Sequence, residues 1–349
     1  MYLLTHIALI FFLYPANIVA SVSTGHWLPI IFGFALHIGI IFVYMKGLSY
    51  HKDQDIIEII MGKNKIIAVL VLLPVTLYLI GLAIVSIRAI SEIITIVYLS
   101  KTPLWAVMIL FLLIATYMAS LGPLALFRTG VLLAILFFPL TVFVLSSAFQ
   151  NADWHYAFPL TDKSVTSFSF LAGRHFHESG FAFAGAFVFL GFIQKQLPYK
   201  PKRILLSSLI LLPLFLLSVY LPLLTFGKST ASQFQFPFIM SLDTLEVNWL
   251  MFDRITIFFL QSLTTFVMLF IALLMWETVT VINRTIIKVK PGYILFGLCI
   301  LIFIACLKIP DWENVQQALL WSTYLRTYVM IVLPLTILWL GLSKKKQYT

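Results

Sequence analysis

Recurrent apolar stretches, each long enough to cross a lipid bilayer and separated by short polar connections, dominate this sequence. A helix rises ~1.5 Å per residue, so about 20 apolar residues are needed to cross a ~30 Å hydrocarbon core. The candidate spans are Met1–Val22, Trp27–Met45, Ile66–Tyr98, Leu104–Ser120, Leu124–Ser147, Phe168–Ile193, Ile204–Leu224, Ile255–Ile282, Tyr293–Leu307 and Ala318–Leu342. This pattern predicts an all-α polytopic membrane protein with about ten transmembrane helices. Ten spans occupy ~200 of the 349 residues. The remainder is divided among short connections and a tail, which leaves no room for a soluble catalytic domain. A single integral membrane domain over 1–349 is expected.

Charge is distributed by connection. One set of connections carries Lys46, Lys52, Lys63, Lys65, Arg128, Lys195, Lys200, Lys202, Arg203, Arg284, Lys288, Lys290 and Lys344–Lys346; the other carries Asp153, Asp162, Asp243, Glu246, Asp253, Asp311 and Glu313. The positive-inside rule then predicts an even number of spans with both termini cytoplasmic. Charged residues make up only 10% of the chain against ~25% in an ordinary soluble domain. The formal net charge of +10 is placed to meet anionic lipid headgroups, so membrane lipid rather than nucleic acid is the expected partner. Cys299 and Cys306, seven residues apart on one helix, lie ~10 Å apart along its axis, too far for a disulfide. The first span has no cationic leader or small-residue cleavage site and is not expected to be a removable signal. Because it begins at Met1 without a polar entry, its helix is expected to start late or the true start to lie elsewhere.

The segment His51–Met61 alternates acids with Ile56, Ile57, Ile59 and Ile60, and is expected as a short helix in the membrane interface. The third span, ~33 residues, implies tilt or projection beyond the hydrocarbon. Connections Gln150–Val165 and Phe226–Arg254 are expected outside; the second contains Phe236-Pro237, Asp243, Glu246 and Trp249, and predicts a packed hairpin or short helices. No sequence repeat is visible. Ten spans nonetheless divide into five plus five, and an odd-numbered unit inverts when duplicated, which predicts repeats over 1–149 and 166–342. Such folds break their helices at corresponding positions, here spans one and six. Span one holds Tyr14-Pro15-Ala16-Asn17; span six holds Glu178-Ser179-Gly180 and then Gly185. Proline removes a backbone donor and glycine weakens helix, so freed backbone groups become available to a solute, and a plain kink is the simpler alternative.

Several side chains are candidates. Glu178, with Ser179 and Gly180, leads because an ionisable group at membrane depth is costly and is usually functional or paired; an interfacial role is its alternative. Arg174, His175 and His177 suggest a metal site, but two histidines two residues apart point to different helix faces, so no metal is expected. Arg88 and Glu92 share a helix face at i, i+4. Glu277 is expected to pair with Arg284, two turns on. Asn17, Tyr78, Thr264 and Thr265 would line a central pocket with uncharged hydrogen bonds, or else bond between helices. No nucleophile–base or two-metal arrangement is present, so neither an enzyme nor a cofactor is expected.

Several stretches together resemble the spore germination permease-like family, the membrane B subunits of nutrient germinant receptors within the amino acid–polyamine–organocation transporter superfamily. They are Leu13-Tyr14-Pro15 followed by Gly25-His26-Trp27, Arg88-Ala89-Ile90-Ser91-Glu92-Ile93-Ile94, Leu99-Ser100-Lys101-Thr102-Pro103, and Thr225-Phe226-Gly227 through Phe236-Pro237 to Asp253-Arg254. The resemblance implies a LeuT-like fold of two inverted five-helix repeats, with a ligand pocket between broken spans one and six. It also implies A and C subunit partners, the spore inner membrane, and recognition of a small nutrient such as an amino acid. A proton-coupled transporter of amino acids or related solutes is the alternative, with Glu178 as its coupling residue. Relatives usually carry glycines before the span-one proline where this chain has Ala8 and Ile10, which implies a pocket smaller, differently shaped or tuned to another nutrient. Pro15, Ala16, Asn17, Tyr78, Glu178, Ser179, Gly180, Gly185, Thr264 and Thr265 are the expected ligand-binding set.

Overall fold

A computed structural model describes residues 1–161, 168–245 and 255–348, the last four as backbone only. Asp162, Glu246, Trp249, Asp253 and Arg254, singled out above, lie outside the described residues, as do the side chains of Lys345 and Lys346. All regular structure among the described residues is helical.

Among the described residues, seven helical stretches are long and apolar enough to cross a membrane: Trp27–Ser49, Lys65–Val97, Gly122–Asn151, Arg174–Ile193, Pro201–Ala231, Thr256–Ile286 and Thr323–Lys344. An eighth span is formed if α1 (Tyr2–Ile10) and α2 (Tyr14–Ser21), bent by 56° at their junction, count as one. The two remaining expected spans are the apolar helices Leu104–Ser120 and Pro291–Leu307, each of 17 residues. At ~25 Å they sit at the short end of what a bilayer requires. By length and composition the membrane-crossing helices therefore number seven or eight, and the expected ten is not confirmed.

The break in span one follows from Pro15. Its ring nitrogen carries no hydrogen, so the carbonyl of Phe11 loses its i+4 donor. The chain turns through Phe11–Leu13, and α2 restarts with the proline in its first turn. Span six is interrupted twice. Helix α8 (Arg174–Ser179) ends at Gly180, a short turn α9 (Phe181–Ala184) follows, and Gly185–Val188 is non-helical before α10 (Phe189–Ile193).

The chain divides into two compact units, each drawn from both halves of the sequence. The first holds Met1–Ala35, Thr129–Ala182 and Ser207–Val267. Aromatic packing fills the space around its broken helix: Phe11 lies 4.7 Å from Phe238 and 5.5 Å from Phe259, and Tyr14 lies 4.8 Å from Phe215. Phe238 belongs to α12 (Pro237–Asp243), the short helix expected in the Phe226–Arg254 connection. It follows α11 (Pro201–Ala231), which kinks at Gly227, where φ is +71° and a side chain would be strained.

The second unit holds Leu36–Arg128, Phe183–Leu206 and Met268–Thr349. The long helix α5 (Lys65–Val97) packs on Leu104–Ser120, on Pro291–Leu307 and on α4 (Ile56–Met61). Tyr328 donates to the Val71 carbonyl at 3.1 Å, close to Pro74, whose ring disturbs the helix bonds of that turn. Arg88 pairs with Glu92, as its spacing predicts, and also donates to the carbonyls of Ile309 and Pro310. The two cysteines are unpaired.

Two expectations are corrected in this unit. The isoleucines of α4 do not face the interface: Ile56, Ile57, Ile59 and Ile60 are all buried in protein. A capping box fixes the helix start, with Asp55 accepting from the Glu58 amide while Glu58 accepts from the Asp55 amide. Nor does Arg284 pair with Glu277. It reaches Asp55 and Glu58, the latter at 3.3 Å, and Lys195 adds a 2.8 Å contact to Glu58. The cause is tertiary. A π-helical turn at Ile282–Ile286 closes helix α13 (Thr256–Val281), and a pre-ordered acidic cap meets the arginine there.

Burial opposes ionisation of Glu58, but Lys195, the Asp55 amide and Arg284 outweigh it and hold the carboxyl below its usual range. A depressed folded-state value stabilises the protein above the ordinary carboxylate pKa of ~4.3 and ceases to do so as pH falls through the depressed value. Arg284→Met is therefore expected to lower stability by about 1 kcal/mol at pH 7, since the cluster is partly exposed. Thermal unfolding in detergent at pH 7 and pH 3.5 checks this, with the difference from wild type shrinking at the acidic pH.

Candidate functional site

Helix α2 packs along α8 within the first unit. Pro15 and Asn17 are buried and Ala16 half-buried on α2; Glu178 and Ser179 are buried on α8, with Gly180 at its end. The short helix α12 packs against α2 as well. Phe170 and Val22 form a small apolar cluster with Leu28, Leu171 and Phe176 in the same unit. Five of the ten expected site residues are thus on two helices in contact, and Gly180 caps the second.

Glu178 is 2% exposed, yet its carboxylate is compensated. Arg174 lies one turn back, with Nε 2.6 Å from Oε1, and His175 Nδ1 is 3.4 Å from Oε2. Both partners are 46% exposed, so the acid is buried and its countercharges reach outward. The i, i+4 and i, i+3 spacings put all three heads on one helix face. Ser179 bonds back to the Phe176 carbonyl at 2.7 Å, an arrangement within its own helix.

Thr264 and Thr265 also belong to the first unit, on α13. Thr265 donates to the Gln261 carbonyl at 2.8 Å, whereas the buried Thr264 hydroxyl has no partner among the described residues. Tyr78 and Gly185 belong to the second unit. Gly185 is where a Cβ would come within 2.1 Å of the end of the Leu82 side chain, one turn along α5 from Tyr78. The buried Tyr78 hydroxyl has no hydrogen-bond partner among the described residues. Cavities in the second unit are lined by other residues. One, of 170 Å³, is lined by Met45, Leu48, Lys52, Gln194 and Tyr199; another, of 340 Å³, by Trp276, Thr280, Asn283, Arg284 and Leu295. None of the ten expected residues lines either.

Two residues escaped the sequence reading. Arg326 is 2% exposed and donates to the Leu319 carbonyl at 2.6 Å and to Ser322 at 2.9 Å. A lone arginine inside the last apolar stretch was the available signal, since such a charge needs partners at membrane depth. Tyr44 is fully buried and donates at 3.1 Å to the carbonyl of Val188, in the non-helical part of span six. No sequence signal marks it among 14 tyrosines.

Arg174→Met leaves the buried Glu178 carboxylate without its closest countercharge. Its removal is expected to cost about 1–3 kcal/mol, and the double variant Arg174→Met, Glu178→Gln to recover most of that. Thermal unfolding of the three purified proteins decides it.

A family model described as a spore germination protein matches residues 3–314. No curated protein matches the chain. A match over nearly the whole length, on an all-helical chain with seven or eight membrane-crossing candidates and broken first and sixth segments, makes this protein an integral membrane, permease-like member of the spore germination protein family.

Proposed function

We propose that this protein is the membrane subunit of a nutrient germinant receptor: it binds a small nutrient, such as an amino acid, and through that binding triggers germination of the spore. The observation that carries this reading is the family match over residues 3–314. The contact of α2 with α8 supports it by gathering Pro15, Ala16 and Asn17 with Glu178, Ser179 and Gly180. Thr264 and Thr265 on α13 add hydroxyls of the same unit to the ligand-binding set in this reading. Five-helix inverted repeats over 1–149 and 166–342 give it a two-state framework. A ligand shifts such a framework only by binding one packing better than the other.

The same reading places the protein in the spore inner membrane beside A and C subunits. The basic connections, from Lys46 to Lys344, support cytoplasmic termini in this reading. Catalysis plays no part in it.

Proton-coupled transport of amino acids or related solutes is the second reading. One observation favours it: a carboxylic acid, Glu277, buried in a membrane helix with no hydrogen-bond partner among the described residues.

Spores lacking the gene are expected to lose germination, followed as fall in optical density, toward one class among amino acids, sugars and nucleosides, and to regain it with the gene. An unchanged response to all three classes refutes the receptor reading. Asn17→Leu, which removes a buried amide from α2, is expected to raise the half-maximal nutrient concentration at least ~10-fold, the equivalent of 1.4 kcal/mol, with protein level unchanged by immunoblot.

A further inference from the structure

Glu277 is wholly buried in α13, and neither carboxylate oxygen has a hydrogen-bond partner among the described residues. The basic residue nearest on its own helix run, Arg284, is occupied by Asp55 and Glu58. An ionised carboxylate cannot be held in such a place without a countercharge, whereas a neutral carboxylic acid can.

Two phenols are held by the neighbouring stretch of span six, and the Tyr44 hydroxyl donates to the Val188 carbonyl. Tyr44 is itself fixed by Gly191, where a Cβ would fall 2.2 Å from the phenol oxygen. Tyr199 donates to Leu190 at 3.0 Å and lines the 170 Å³ cavity with Lys52 and Gln194. Residues 188–191, at the end of the non-helical segment, therefore hold both phenols through two carbonyls.

We propose that Glu277 is an intramembrane proton-binding site. In the packing seen here it carries the proton as a neutral acid, and movement of span six, whose Phe192 ring lies 6.2 Å from that of Trp276 beside Glu277, exposes it to release the proton. The reaction is reversible protonation of a carboxylate, with the proton exchanged with solvent. The inference does not depend on a nutrient being bound or on which one it is.

Infrared spectroscopy of the purified full-length protein in phosphatidylglycerol–phosphatidylcholine nanodiscs tests it. At pH 7 the wild type is expected to show a carboxylic-acid C=O band that shifts in deuterated buffer, is absent from Glu277→Gln and persists in Glu178→Gln. A band that survives in Glu277→Gln, or no such band in the wild type, overturns the proposal. Failure of Glu277→Gln to accumulate also overturns it, because an amide replaces a neutral carboxyl in size and charge. Any of these failures leaves the germination result above standing, since the spectrum is recorded without nutrient.

Discussion

A backbone in lipid must satisfy its own hydrogen bonds, and that requirement shapes the breaks in spans one and six. Pro15 removes one donor, and the helix responds by breaking at Phe11–Leu13 rather than bending smoothly. The break is then sealed by phenylalanines from α12 and α13, which keep the freed peptide groups inside protein. In span six the Val188 carbonyl, at the end of the non-helical stretch, accepts from both the Gly191 amide and the Tyr44 hydroxyl. Near Pro74, the Val71 carbonyl accepts from Tyr328.

The same economy governs charge. Arg88 is held by Glu92 and two carbonyls, Arg326 by a carbonyl and two hydroxyls, and Glu178 by Arg174 and His175. Glu277 differs, because nothing among the described residues accepts or donates to it. A protein that compensates its other deep charges so closely and leaves one acid bare has made the bare acid chemically distinct. It is this contrast, more than burial itself, that sets Glu277 apart from Glu178 as the residue able to exchange a proton.

Much of this was legible from spacing. Apolar runs located the helices, Tyr14-Pro15 located the first break, Glu178 to Gly185 located the second, and i, i+4 geometry paired Arg88 with Glu92. What spacing could not supply was tertiary. Glu277 and Arg284 lie two turns apart on one side of a helix, yet the acidic cap of α4, some 220 residues earlier, takes the arginine. The alternating isoleucines of α4 signal an amphipathic helix equally well for lipid or for protein, and only the fold shows them buried in protein. Of the expected site residues, those on α2 and α8 meet in the first unit, while Tyr78 and Gly185 fall in the second.

Whether the protein senses a solute or moves it across the membrane separates the two functional readings most directly. Full-length protein in sealed liposomes, given the radiolabelled nutrient identified from spores under an inward proton gradient, answers this. The receptor account predicts saturable binding that rises to a plateau set by protein amount and is insensitive to collapsing the gradient. Accumulation beyond that plateau, abolished by a protonophore, would contradict it and establish transport.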